Sequence, residues 1–68
     1  VDKTTLRKNT IETLMLLVER YPNLLIGQIL GTAVDPLSMY VTPDIELARG
    51  LNQLFITYTQ FEAAGIKP

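Results

Sequence analysis

The chain has 68 residues, 47% of them hydrophobic, with six basic and seven acidic side chains for a formal charge of -1 and a mean hydropathy of +0.19. A domain this small buries only about 60% of the surface its unfolded chain exposes and usually needs a staple. The absence of Cys and His excludes disulfides and the nitrogen and sulfur ligands of structural zinc, leaving carboxylates that suit only calcium or magnesium. The balanced charge likewise excludes a field able to gather polyanions or anionic lipid. Association therefore remains as the staple, and the apolar load points to a homo-oligomer or to docking on another protein.

Along the chain, Ile11, Leu14, Met15, Val18 and Tyr21 recur at helical spacing, widened by Leu6, Leu16 and Leu17, and predict a first helix over Thr4 to Tyr21. Thr4 or Thr5 can cap it, and Asn9 with Glu12 offers a capping-box pattern. Pro22 ends it. Asn23 then reads as the cap of a second helix over Asn23 to Val34, stopped by Asp35-Pro36. Leu25, Ile26, Ile29, Leu30 and Ala33 cover most of its circumference, which predicts burial on more than one side. Leu37 to Val41 reads as a short connection, extended at Met39-Tyr40-Val41.

Thr42-Pro43-Asp44 reads as a helix start, with threonine as cap, proline in the first position, and Asp44 and Glu46 complementing the dipole. The third helix, Pro43 to Ala64, presents Leu47 or Ala48, Leu51, Leu54, Phe55, Tyr58 and Phe61 on one face, and Gly65 closes it. Gly50 costs roughly 1 kcal/mol relative to alanine inside a helix. The stretch FITYTQF has strand-forming residue types, but the 3,4 spacing of its apolar positions selects helix.

The sharper functional classes fit poorly. The charge-free interval from Tyr21 to Val34 is shorter than the roughly 20 apolar residues of a membrane span and carries no Lys or Arg for an interfacial helix. A recognition helix needs Arg, Lys, Asn or Gln toward base edges, and Leu24 to Val34 offers only Gln28. Nucleic-acid binding, in a small helix-turn-helix-like regulator using Lys3, Arg7 and Lys8, stays as the alternative function. Without His or Cys a general base would have to be a carboxylate, lysine or tyrosine with a shifted pKa; Glu12, Glu19, Asp44 and Glu46 all have ordinary structural readings. Gly27 and Gly31 lie inside an apolar helix rather than in a phosphate loop. No enzyme activity and no cofactor are expected. The two glycines share a helix face, which suggests close approach of a neighbouring backbone, either the third helix or the second helix of another copy.

The stretch Pro22-Asn23-Leu24-Leu25-Ile26-Gly27-Gln28-Ile29-Leu30 resembles a segment of short, uncharacterised bacterial and phage proteins, with the pattern Pro, Asp or Asn, Leu, Arg, apolar, Gly, Gln, then Leu or Ile. In those proteins an aromatic and acidic segment often follows, to which Met39-Tyr40-Val41 and Asp44-Ile45-Glu46-Leu47 are similar. The resemblance covers about a third of the chain and departs from the pattern at Leu25, where the pattern has arginine. It implies a small helical bacterial protein and carries no activity with it.

The sequence thus predicts a single all-α, three-helix domain over residues 1–68, alone or as an oligomeric helical bundle. Its expected function is a non-enzymatic interaction or self-association module, acting through the second helix and an apolar strip on the first or third. Leu25, Ile26, Gly27, Leu30, Phe55 and Tyr58 are the candidate contact positions. No basic n-region precedes an apolar h-region, so a cytoplasmic location is expected.

Overall fold

A computed structural model describes residues 2–67. It contains helices α1 (Lys3–Arg20), α2 (Ile26–Ala33) and α3 (Asp44–Ala63), with a 3-10 segment, Pro36–Val41, between the last two. The architecture is all-α, as expected.

Each helix start departs from its expected cap. At α1 the cap is Asp2: its carboxylate accepts the Thr5 N–H at 2.8 Å, so Thr4, Thr5 and Asn9 all fall within the helix. Tyr21 closes α1 by donating its N–H to the Leu17 carbonyl at 3.0 Å, and Pro22 prevents continuation. The chain turns with the Leu24 N–H on the Tyr21 carbonyl at 3.1 Å. As a result α2 begins at Ile26, three residues after the expected cap Asn23, with Leu25 in the cap position. There Gln28 reaches back and accepts the Leu25 N–H at 2.9 Å. This is one half of a capping box, since leucine has no side-chain acceptor to make the other. The lone glutamine of the charge-free stretch is thereby a helix-start residue.

The connection expected to be extended is a 3-10 turn instead. Asp35 accepts the Leu37 N–H at 3.0 Å, and Pro36 takes the first helical position, where its missing N–H costs nothing. Thr42 does not cap α3. Its hydroxyl donates backward to the Ser38 carbonyl at 2.9 Å, and Pro43 occupies the cap position. α3 runs unbroken through Gly50 and FITYTQF. It ends in a Schellman motif: Gly65, at φ +79°, donates to the Glu62 carbonyl at 3.0 Å while the Ile66 N–H reaches the Phe61 carbonyl at 2.7 Å.

Three cross-links fix the topology. Arg7 lies 3.8 Å from Asp44, the Thr13 hydroxyl 3.3 Å from the Asn52 side-chain oxygen, and Arg20 3.1 Å from Glu62. The two sequences advance together, so α1 and α3 are parallel neighbours. Parallel neighbours need a return path as long as the helix, about 27 Å for 18 residues. α2 and the 3-10 segment supply it, with α2 running antiparallel to α3. α3 is the central helix and packs against both others.

Leu17 and Ile29 are fully buried, and with Tyr21, Leu51 and Leu54 they form the core. On α1 the innermost row is Thr10, Leu14, Leu17 and Tyr21, because α1 is rotated by about one residue from the expected stripe. Thr10 tolerates burial by donating its hydroxyl to the Leu6 carbonyl at 2.7 Å. Ile11 and Met15, expected in the core, are consequently exposed. The molecule measures 36 × 26 × 17 Å, with a radius of gyration of 12.1 Å, against about 11 Å for a compact domain of this length.

Candidate interaction surface

The six positions singled out from the sequence divide into two groups. Leu25, Ile26 and Gly27 are exposed at the beginning of α2, whereas Leu30, Phe55 and Tyr58 are half-buried against the core. Tyr58 meets Tyr21 edge-on, with ring centroids 5.2 Å apart at 77°, and the Arg20 guanidinium sits 6.0 Å from the centre of the Phe55 ring. These three are held chiefly by intramolecular packing.

Of the two neighbours expected at the α2 glycines, the third helix requires correction. A Cβ at Gly27 would meet nothing within 4 Å, and one at Gly31 would meet only Pro36 Cγ at 3.5 Å. Neither permits close approach of α3. Gly50 does: a Cβ there would collide with the Ala33 carbonyl oxygen and lie 3.0 Å from its carbon. Gly50 is thus the residue that lets α2 cross α3, and its helix-weakening cost is offset by that contact.

Two apolar surfaces lie outside the six positions. Leu37 and Tyr40 on the 3-10 segment are essentially fully exposed, with Val41 beside them at 80%; spacing of three places Leu37 and Tyr40 on one side of a 3-10 turn. The signal for that turn was Asp35-Pro36 followed by Ser38, which fits a helix start as well as a stop. The second surface is the outer face of α1, where Ile11 and Met15 are 59% and 54% exposed and Leu16 is exposed on its edge.

Overall the chain exposes 5093 Å². A folded monomer of 7.6 kDa should expose about 4300 Å². The excess is roughly 800 Å² of total surface, polar and apolar together, similar in size to the share one partner contributes to a standard-size interface.

One pair of charged groups ties the ends of two helices. Arg20 forks onto Glu62 through Nε at 3.1 Å and Nη2 at 3.3 Å, tying the ends of α1 and α3. The Glu62 carboxyl is held below its usual range by the neighbouring Tyr21 hydroxyl and by Arg20. Only Arg20 is within hydrogen-bonding geometry, since the buried Tyr21 hydroxyl has no partner. Burial pushes the Tyr21 phenol up from its ordinary value. A cleft of about 460 Å³ opens beside this pair, between Tyr21, Leu24, Glu62 and Ile66, but its carboxylate is already committed to Arg20. Among the described residues no group of His, Cys, Asp or Glu is placed to hold a metal ion, and no helix is long and apolar enough to cross a membrane. No protein-family model matches the chain, and no curated protein or solved structure is detectably similar to it.

Proposed function

We propose that this chain is a non-enzymatic protein–protein interaction module that self-associates through its uncovered apolar surface. The observation carrying this reading is the excess of roughly 800 Å² of exposed surface, in a chain lacking disulfides and metal ligands of the zinc type. Covering that surface with a second copy supplies the burial that a domain of this size lacks by itself. The rival reading, nucleic-acid binding through Lys3, Arg7 and Lys8, is weakened by the pairing of Arg7 with Asp44.

The test is the mass in solution by light scattering over a dilution series, at low and high salt. A multiple of 7.6 kDa that persists in high salt supports an apolar interface, whereas a phosphate-binding surface would lose its ligand steeply as salt rises. A monomer at every concentration would overturn self-association.

A further inference from the structure

Resting on the self-association reading, we propose that the outer face of α1 is the interface, docked antiparallel on α1 of a second copy about a two-fold axis between Leu14 and Met15. Ile11, Leu14, Met15 and Val18 fall at i, i+3, i+4 and i+7 and form one stripe. Leu14 and Val18 are half-buried against the core, while Ile11 and Met15 stand out from it. The stripe is therefore an outward continuation of the core, with its outer row uncovered. Shallow depressions flank it. One of about 180 Å³ lies between Thr10, Ile11 and Leu47, and one of about 240 Å³ between Glu12, Met15, Leu16 and Glu19. Projecting side chains beside depressions are what helix-on-helix packing interdigitates.

Charge and helix dipoles bear on the direction of the partner. The ridge next to the stripe carries Lys8, Glu12 and Glu19, all exposed. A two-fold axis between Leu14 and Met15 sets Ile11 opposite the partner's Val18, and brings both Lys8 and Glu12 within a turn of the partner's Glu19, one attractive pair and one repulsive. The reciprocal pairs form by symmetry. A parallel pairing would instead place the two Lys8, Glu12 and Glu19 ridges on opposite edges of the seam, so only the antiparallel arrangement brings Lys8 near the partner's Glu19. Helix dipoles favour the same choice: α1 and α3 are already parallel, and an antiparallel α1 opposes that alignment. Length discriminates against the other apolar surfaces, since α1 offers about 27 Å of continuous helix against about 12 Å for the eight residues of α2.

A single introduced thiol reads this arrangement cleanly, because the chain has no cysteine. The wild-type chain is expected at twice its monomer mass. Met15→Cys should oxidise to a cross-linked dimer, and Ile11→Cys should not, since the two Ile11 positions lie about 10 Å apart along the helix axis in this arrangement. Met15→Glu should return the mass to that of the monomer with its helical circular dichroism retained. Lys8→Glu should raise the dissociation constant roughly fivefold at low salt, and adding Glu19→Lys should bring it below the wild-type value, since position 8 and Glu12 then both face an opposite charge. Cross-linking by both thiol variants would overturn the antiparallel geometry. A wild-type dimer that survives Met15→Glu but is broken by Leu25→Glu or Tyr40→Glu would overturn the α1 interface while leaving self-association standing. A wild-type monomer would overturn both.

Discussion

Gly50 and Gly27 are both helical glycines, yet they stand at opposite extremes of packing. At Gly50 the backbones of α3 and α2 touch so closely that a methyl group would collide with the Ala33 carbonyl, while Gly27 faces open space on every side. The first glycine is a fold requirement. The second, with Leu25 and Ile26 exposed around it, belongs to a region that the folded chain does not use for itself. The difference shows that a glycine inside an apolar helix marks a contact only when the neighbouring element arrives at that residue, and arrival is a property of the topology.

The largest effect is expected at the crossing. Gly50→Ala must push α2 away from α3, and overpacking against backbone costs about 3 kcal/mol or more. A domain this size holds roughly 3–5 kcal/mol in total. Thermal and urea unfolding should therefore show midpoints far below those of the wild type, and a variant as stable as the wild type would mean that the crossing is looser than described. Within α2 the same contrast can be read three residues apart. Ile29 is fully buried and Ile26 is exposed, so Ile29→Ala should cost about 2–5 kcal/mol and Ile26→Ala no more than about 0.5. Equal costs would mean that Ile26 is covered in solution, and would bring a partner onto the start of α2.

The three helices, their order and the pairing of an apolar α3 face with the rest were legible in the sequence, because 3,4 periodicity and proline punctuation are local signals. The rotation of α1 was not. The expected stripe, Ile11, Leu14, Met15, Val18 and Tyr21, and the innermost row, Thr10, Leu14, Leu17 and Tyr21, are both helical and share Leu14 and Tyr21. The more apolar one was the natural choice for the core, but a back-bonded threonine let the other face inward. The assignment of the α2 glycines to an α3 contact failed for a related reason: Gly27-x-x-x-Gly31 looked like a contact motif, whereas the single Gly50 looked like a defect. Of the candidate contact positions, Leu25, Ile26 and Gly27 are exposed, while Phe55 and Tyr58 were drawn inward by Tyr21 and Arg20 across the α1–α3 seam.

Smaller effects sharpen the contrast further. Gly27→Ala adds helix propensity where no neighbour objects and should raise the unfolding midpoint, by about 0.5–1 kcal/mol in stability. A loss instead would place another backbone against that face. At the end of α1, Tyr21 buries a hydroxyl with no hydrogen-bond partner, which costs free energy wherever it is not compensated. Tyr21→Phe keeps the edge-on ring contact with Tyr58 and removes that oxygen, so stability should be unchanged or higher, by less than about 1 kcal/mol. A clear loss would show that the hydroxyl finds Glu62, Arg20 or water in solution.

The smallest effect is acid sensitivity, and its sign follows from two depressed carboxyls. Asp2 is held below the ordinary aspartate value by the Thr5 N–H it caps, and Glu62 below the ordinary glutamate value by Tyr21 and Arg20. A carboxyl with a lower pKa in the folded state contributes stability that is present above its unfolded pKa and is lost as pH falls through the folded value. Unfolding midpoints should therefore stay level from pH 7 to about pH 5 and decline below about pH 4. Both groups are solvent-exposed, so the decline should be shallow and weakened by salt. Asp2→Asn should flatten only the part belonging to the start of α1, and Glu62→Gln only the part belonging to its end. If both substitutions leave the slope untouched, the α1–α3 seam is held by Leu17, Leu51 and the Tyr21–Tyr58 contact without help from its terminal charges.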